Sequence, residues 1–96
     1  MMKALNVGGV KLGGRNPLFL ISGPCVIESR KGCLQLAKRL VDLAGEEKIP
    51  LIFKASYDKA NRSSHSAFRG PGLEAGLAVL GEVKATFGVP VLTDVH

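Results

Sequence analysis

Three short apolar runs, each opened by a proline, constrain this chain more than any other feature. Pro17 precedes Leu18-Phe19-Leu20-Ile21, Pro50 precedes Leu51-Ile52-Phe53, and Pro90 precedes Val91-Leu92. Proline at the first position of a strand forfeits one ladder donor and is tolerated there. Continuous rather than alternating apolar residues indicate strands buried on both faces, as in a parallel sheet. Two helical patterns separate the runs. Cys33, Leu36, Ala37, Leu40, Val41 and Ala44 form one apolar stripe, with Ser29 as N-cap and Gly45 near the end. Leu73, Leu77, Leu80, Val83 and Phe87 form a second, stopped by Gly88 and Pro90 and weakened by Gly76 and Gly81.

The order strand, helix, strand, helix, strand predicts an α/β fold with a parallel sheet and right-handed crossovers. Ahead of it, Leu5 to Leu12 reads as a hairpin turning at Gly8-Gly9. The expected organisation is one incomplete domain over 1–96, with the hairpin in 1–14 and three strands and two helices in 17–96. The last strand would keep an open edge and lack a covering helix, so the natural protein is expected to continue past His96.

Composition narrows the classes. Apolar residues make up 46% of the chain, which excludes a disordered tail. The apolar runs fall far short of the roughly 20 residues of a membrane span. Met1 to Gly14 lacks the apolar core of a secretory signal. Cys25 and Cys33 make no disulfide framework and suit a reducing compartment. These features describe a soluble, cytosolic protein.

The 13 Lys and Arg exceed the 8 Asp and Glu by 13 − 8, a net charge of +5. Much of that excess sits between Lys54 and Arg69, where Lys54, Lys59, Arg62 and Arg69 face one acid, Asp58. Ser56, Asn61, Ser63 and Ser64 are interleaved with them. Point charges, a planar guanidinium and short donors together hold phosphate or carboxylate. A solvated basic loop is the plainer reading of the same residues. Nucleic-acid binding is disfavoured, because no helix-turn-helix pattern or stacking aromatic pair accompanies the charge. The segment from Lys54 to Gly72 also exceeds the usual βα loop of about 2–6 residues, and long loops are usually functional.

In α/β folds ligands bind at the C-terminal ends of the strands. Here those ends carry Ser22-Gly23-Pro24-Cys25, then Lys54 to Ser64, then Thr93-Asp94-Val95-His96, and all three should meet at one rim. The Cys25 thiol should point at that rim, although a bare cysteine is more often an inert small hydrophobe. Cys33 lies on the helical stripe and reads as core. Asp94 and His96 share one face of a strand end and are candidates for metal, water or substrate contact. Arg69-Gly70-Pro71-Gly72 serves equally as a helix-capping turn or as part of the rim.

Lys54-Ala-Ser-Tyr-Asp-Lys-Ala-Asn-Arg-Ser-Ser64, Arg69-Gly-Pro-Gly-Leu73 and Thr93-Asp-Val-His96 closely resemble the 3-deoxy-D-manno-octulosonate 8-phosphate synthases, also called 2-dehydro-3-deoxyphosphooctonate aldolases. The resemblance runs from the hairpin to the last residue. It implies the first part of a (β/α)₈ barrel whose bottom the hairpin closes. It implies condensation of phosphoenolpyruvate with arabinose 5-phosphate and water, release of phosphate, a homotetramer in the full-length enzyme, and a place in lipopolysaccharide synthesis. Cys25 stands where the metal-dependent branch has cysteine and the metal-independent branch has asparagine. A divalent ion such as Zn, Fe or Mn is therefore implied, its other ligands lying beyond residue 96.

Carried over by position, Lys54 and Ser56 would meet phosphoenolpyruvate, and Lys59 would lie between the two substrates. Asn61 would hold the chain of the sugar phosphate. Arg62 and Ser63 would grip its phosphate across a subunit boundary. Asp94 and His96 would face the reacting centre and its water, Asp94 also touching substrate. The heptulosonate-phosphate synthases share the strand-Gly-Pro-Cys feature but carry a different phosphate loop. A non-catalytic anion-binding module remains the alternative outside enzymes.

Overall fold

A computed structural model describes residues 5–14, 18–58 and 70–94. The elements are β1 (Leu5–Val7), β2 (Val10–Leu12), β3 (Leu20–Ser22), α1 (Arg30–Glu47), β4 (Leu51–Lys54), α2 (Leu73–Phe87) and β5 (Val91–Leu92). The expected α/β order is therefore present. β1 and β2 pair antiparallel, Val7 opposite Val10. β3, β4 and β5 form a parallel sheet in that spatial order, with Ile21 beside Ile52 and Phe53 beside Val91.

The hairpin is not isolated from the sheet. A Cβ added at Gly8 would lie 3.0 Å from Cβ and Cγ of Pro90, which immediately precedes β5. The tip of the first element thus rests against the start of the last, at the N-terminal ends of the parallel strands.

One core lies between the sheet and the helices. Phe53 and Ala55 pack with Ile27, Cys33 and Ala37 on one side and Val79, Leu80 and Val83 on the other. Phe53 is fully buried, which stabilises by about 1.5–3 kcal/mol for a side chain of its size. On the solvent side, the Arg30 guanidinium bonds the Glu82 carboxylate, with Nε to Oε2 at 2.7 Å, and ties α1 to α2. That partner holds Arg30 above its ordinary pKa.

The helix ends show the local chemistry. The Ser29 hydroxyl accepts from the Gly32 amide at 2.9 Å, the cap expected from sequence. Such a cap is typically worth about 1 kcal/mol. α1 runs through Gly45 and ends two residues later, with Lys48 in the left-handed region at φ 56°. The Ile49 amide then closes the turn on the Ala44 carbonyl at 2.9 Å.

Three expectations need correction. Leu18 belongs to no strand and is 86% exposed, so β3 starts three residues after Pro17. Only β4, the central strand, is buried along both faces; Ile21 and Leu92 are exposed on β3 and β5, the two outer strands of this sheet. The apolar stripe of α2 matches the expected one at Leu80, Val83 and Phe87 but not at its start. Leu73 and Leu77 are 52% and 47% exposed, while Gly76, Val79, Leu80 and Val83 face inward.

Candidate active site

Parallel pairing brings the C-terminal ends of three adjacent strands to one edge. Lys54 lies beside Leu92 in the register of β4 and β5, and the Ala55 amide donates to the Leu92 carbonyl at 3.2 Å. Beyond β3, Val26 forms an isolated parallel bridge with Ser56, and the Ile27 amide donates to the Ser56 carbonyl at 3.0 Å. The segments Gly23–Cys25, Lys54–Ser56 and Thr93–Asp94 therefore share one rim, as the strand ends predicted.

The approach of the first two segments is very close. A Cβ at Gly23 would overlap the Lys54 carbonyl oxygen and lie 2.8 Å from its carbon. Only a residue without a side chain fits there, so Gly23 sets how near the β3 end comes to Lys54. This role was not visible in sequence, where the Ser-Gly-Pro-Cys run marks only a strand end at the rim.

Ser56 is 1% exposed, and its Oγ has no hydrogen-bond partner among the described residues. A buried hydroxyl left unpaired costs about 1–3 kcal/mol, so such a group calls for a partner such as a water or a ligand. Lys54 and Asp94 are each half-buried beside it in the rim segments. Thr93 Oγ1 lies 3.4 Å from the Asp94 carbonyl oxygen. Lys59, Asn61, Arg62, Ser63 and His96 lie outside the described residues.

Cys25 is exposed and Cys33 is buried, and burial pushes the Cys33 thiol above its ordinary pKa. Both border a cavity of about 330 Å³ with Pro24, Glu28, Ser29 and Gly32 at the start of α1. Of the rim segments only Pro24 and Cys25 line this cavity; Lys54, Ser56 and Asp94 do not. Among the described residues no three His, Cys, Asp or Glu side chains cluster to hold a metal ion. Cys25 offers a single sulfur, which is not a metal site by itself. No helix among the described residues is long and apolar enough to cross a membrane.

A family model described as the DAHP synthetase I family matches residues 2–96. The chain is 54% identical over its full 96 residues to the 2-dehydro-3-deoxyphosphooctonate aldolase of Geotalea daltonii, of which it covers 35%. It is 55% identical over 96 residues to the enzyme of that name from Geotalea uraniireducens, again covering 35%. With the one from Alkalilimnicola ehrlichii it shares 55% identity over 92 residues, 96% of this chain and 33% of the relative. The chain thus spans about a third of the length of these relatives.

Proposed function

The chain belongs to the DAHP synthetase I family, and on that footing we propose that the full-length protein containing it condenses phosphoenolpyruvate with arabinose 5-phosphate. Water attacks the enol carbon, inorganic phosphate leaves, and 3-deoxy-D-manno-octulosonate 8-phosphate forms for lipopolysaccharide synthesis. The observation that carries this reading is the rim itself. Parallel neighbours bring a lysine, a buried unpartnered hydroxyl and an aspartate to the strand ends where α/β enzymes bind ligands. The identity with relatives named 2-dehydro-3-deoxyphosphooctonate aldolase supports arabinose 5-phosphate as the sugar.

In this reading Lys54 supplies charge to phosphoenolpyruvate, and Ser56 supplies the hydrogen bond its buried Oγ lacks. Lys59 stands between the substrates, where a fixed cation stabilises charge that develops as the bond forms. Asn61 holds the sugar-phosphate chain, and Arg62 and Ser63 grip its phosphate from across a subunit boundary of a homotetramer. Asp94 and His96 face the reacting carbon and position water. Cys25 would contribute one thiolate to a divalent ion whose other ligands lie in the rest of the full-length protein. The remaining strands would close a (β/α)₈ barrel in the cytoplasm.

Arg62→Ala in the full-length enzyme tests the reading. A planar guanidinium on phosphate is not replaced without loss. The KM for arabinose 5-phosphate should rise far more than that for phosphoenolpyruvate. An equal rise in both would remove Arg62 from the sugar-phosphate site. Turnover of erythrose 4-phosphate instead of arabinose 5-phosphate would favour the heptulosonate reaction. Anion binding without turnover would favour a non-catalytic module.

A further inference from the structure

The pairing of β4 with its neighbours continues past Lys54. The Ala55 amide donates to the Leu92 carbonyl at 3.2 Å, and the Ser56 carbonyl accepts from the Ile27 amide at 3.0 Å. The Tyr57 carbonyl then accepts from the Gly72 amide at 3.1 Å, at the start of α2. Three consecutive residues are thus tied to three different segments of the chain. Strand alternation sends their side chains to opposite faces. Phe53 and Ala55 enter the core against the helices. Lys54 and Ser56 take the other face, where the Ser56 Oγ is buried with no partner among the described residues. Tyr57 returns to the helix side and meets Gly76, a buried residue of α2. A Cβ at 76 would overlap the Tyr57 Cβ and sit 3.2 Å from its Cα.

Glycine is disfavoured inside a helix relative to alanine, so Gly76 needs a reason. The reason is steric: α2 approaches Tyr57 more closely than any side chain at 76 permits. A methyl group there would push on Tyr57. Ala55 cannot follow, because it is fully buried and its amide is held by Leu92. The displacement therefore falls on the one residue between them, Ser56. A serine hydroxyl sits one bond beyond Cβ and moves with its backbone, and hydrogen bonds weaken steeply as their angle departs from linear.

We propose that Gly76 is a positioning residue for phosphoenolpyruvate, acting through Tyr57 to hold the Ser56 hydroxyl where it donates to an oxygen of that anion. The inference rests on the function proposed above, which gives Ser56 to phosphoenolpyruvate. It adds to that contact a determinant in the helical layer, away from the rim itself. All of its members lie among the described residues.

The test is a double-variant cycle on the KM for phosphoenolpyruvate in the full-length enzyme. Ser56→Ala should raise it by about tenfold or more, as expected for loss of a hydrogen bond to a charged group. Gly76→Ala should raise it by about fivefold or more while the hydroxyl is present. With both changes no hydroxyl is left to misplace, so the KM should stay within about twofold of that of Ser56→Ala alone. A packing defect with no bearing on Ser56 would instead multiply the two effects. Tyr57→Gly creates no overlap but removes the Cβ that seats on Gly76. It should show the same dependence on Ser56, which keeps the cycle decisive if Gly76→Ala fails to fold. Multiplied effects, or a native KM in the folded Gly76→Ala or Tyr57→Gly enzyme, would overturn the inference and leave the functional reading standing. A native KM in Ser56→Ala would overturn the reading of Ser56 itself, and the inference with it.

Discussion

Gly23 lies against the carbonyl of Lys54 so closely that a Cβ would overlap the oxygen and stand 2.8 Å from the carbon. Two strand ends are locked together by the absence of one carbon atom. Because the obstructing group is backbone, it cannot swing aside as the tip of a long side chain can.

Gly23→Ala should therefore move the end of β3 away from Lys54. Overpacking of this kind costs about 1–3 kcal/mol and more where backbone must shift. In the full-length enzyme the melting temperature should fall by several degrees, and the KM for phosphoenolpyruvate should rise. A native melt with native KM values would show that the contact is not needed.

Lys59→Ala should lower turnover by two to three orders of magnitude with the fold intact. Removing one preorganised charge or donor from a transition state costs about 3–4 kcal/mol. Steady-state kinetics and a thermal melt on the same preparation check both halves. Native turnover would remove Lys59 from the reacting centre.

Treatment with a chelator should abolish activity of the full-length enzyme, and a divalent metal should restore it. Cys25→Ala should lose bound metal and activity together. Cys33→Ala should cost about 1 kcal/mol of packing and leave metal content unchanged. Metal analysis beside activity decides between them. Full activity in enzyme stripped below stoichiometric metal would refute a metal role for Cys25.

Cys33 gives a pH prediction whose sign follows from burial. Its folded pKa is raised, so the buried thiol keeps its proton while an unfolded thiol ionises near its ordinary value of about 8.5. Below that value both states are protonated, and stability does not depend on this group. As pH rises beyond it and through the folded value, the unfolded state is favoured and stability is lost. Cys33→Ala should flatten the fall in melting temperature between about pH 8 and pH 10. An identical alkaline slope in the variant would remove Cys33 as its source.

The strands were legible because prolines and apolar runs mark them locally, and α1 because Ser29 and its stripe agree. The face of α2 was legible at Leu80 and Val83 but not at its start, where Gly76 packs against Tyr57, 19 residues earlier (76 − 57). Helical periodicity weighs side chains and gives no weight to Gly76, whose lack of one is the contact. The exposure of Ile21 and Leu92 was equally hidden. A continuous apolar run reports that two faces can be buried, not that something covers both. At the rim, strand-end logic located Lys54, Ser56 and Asp94. The fit of Gly23 against Lys54 depends on strand spacing, which residue types do not encode.

The contact of Gly8 with Pro90 has a consequence during synthesis. The 82 residues that separate them (90 − 8) must be made before the hairpin tip can find its seat. At about 5–20 residues per second, that delay is roughly 4–16 s. A hairpin forms in about 1–10 μs, so it has ample time to form and dissolve repeatedly while the nascent chain lengthens. Two strands alone are at best marginally stable in water. The hairpin thus gains this neighbour only after both helices and the first two parallel strands have been made.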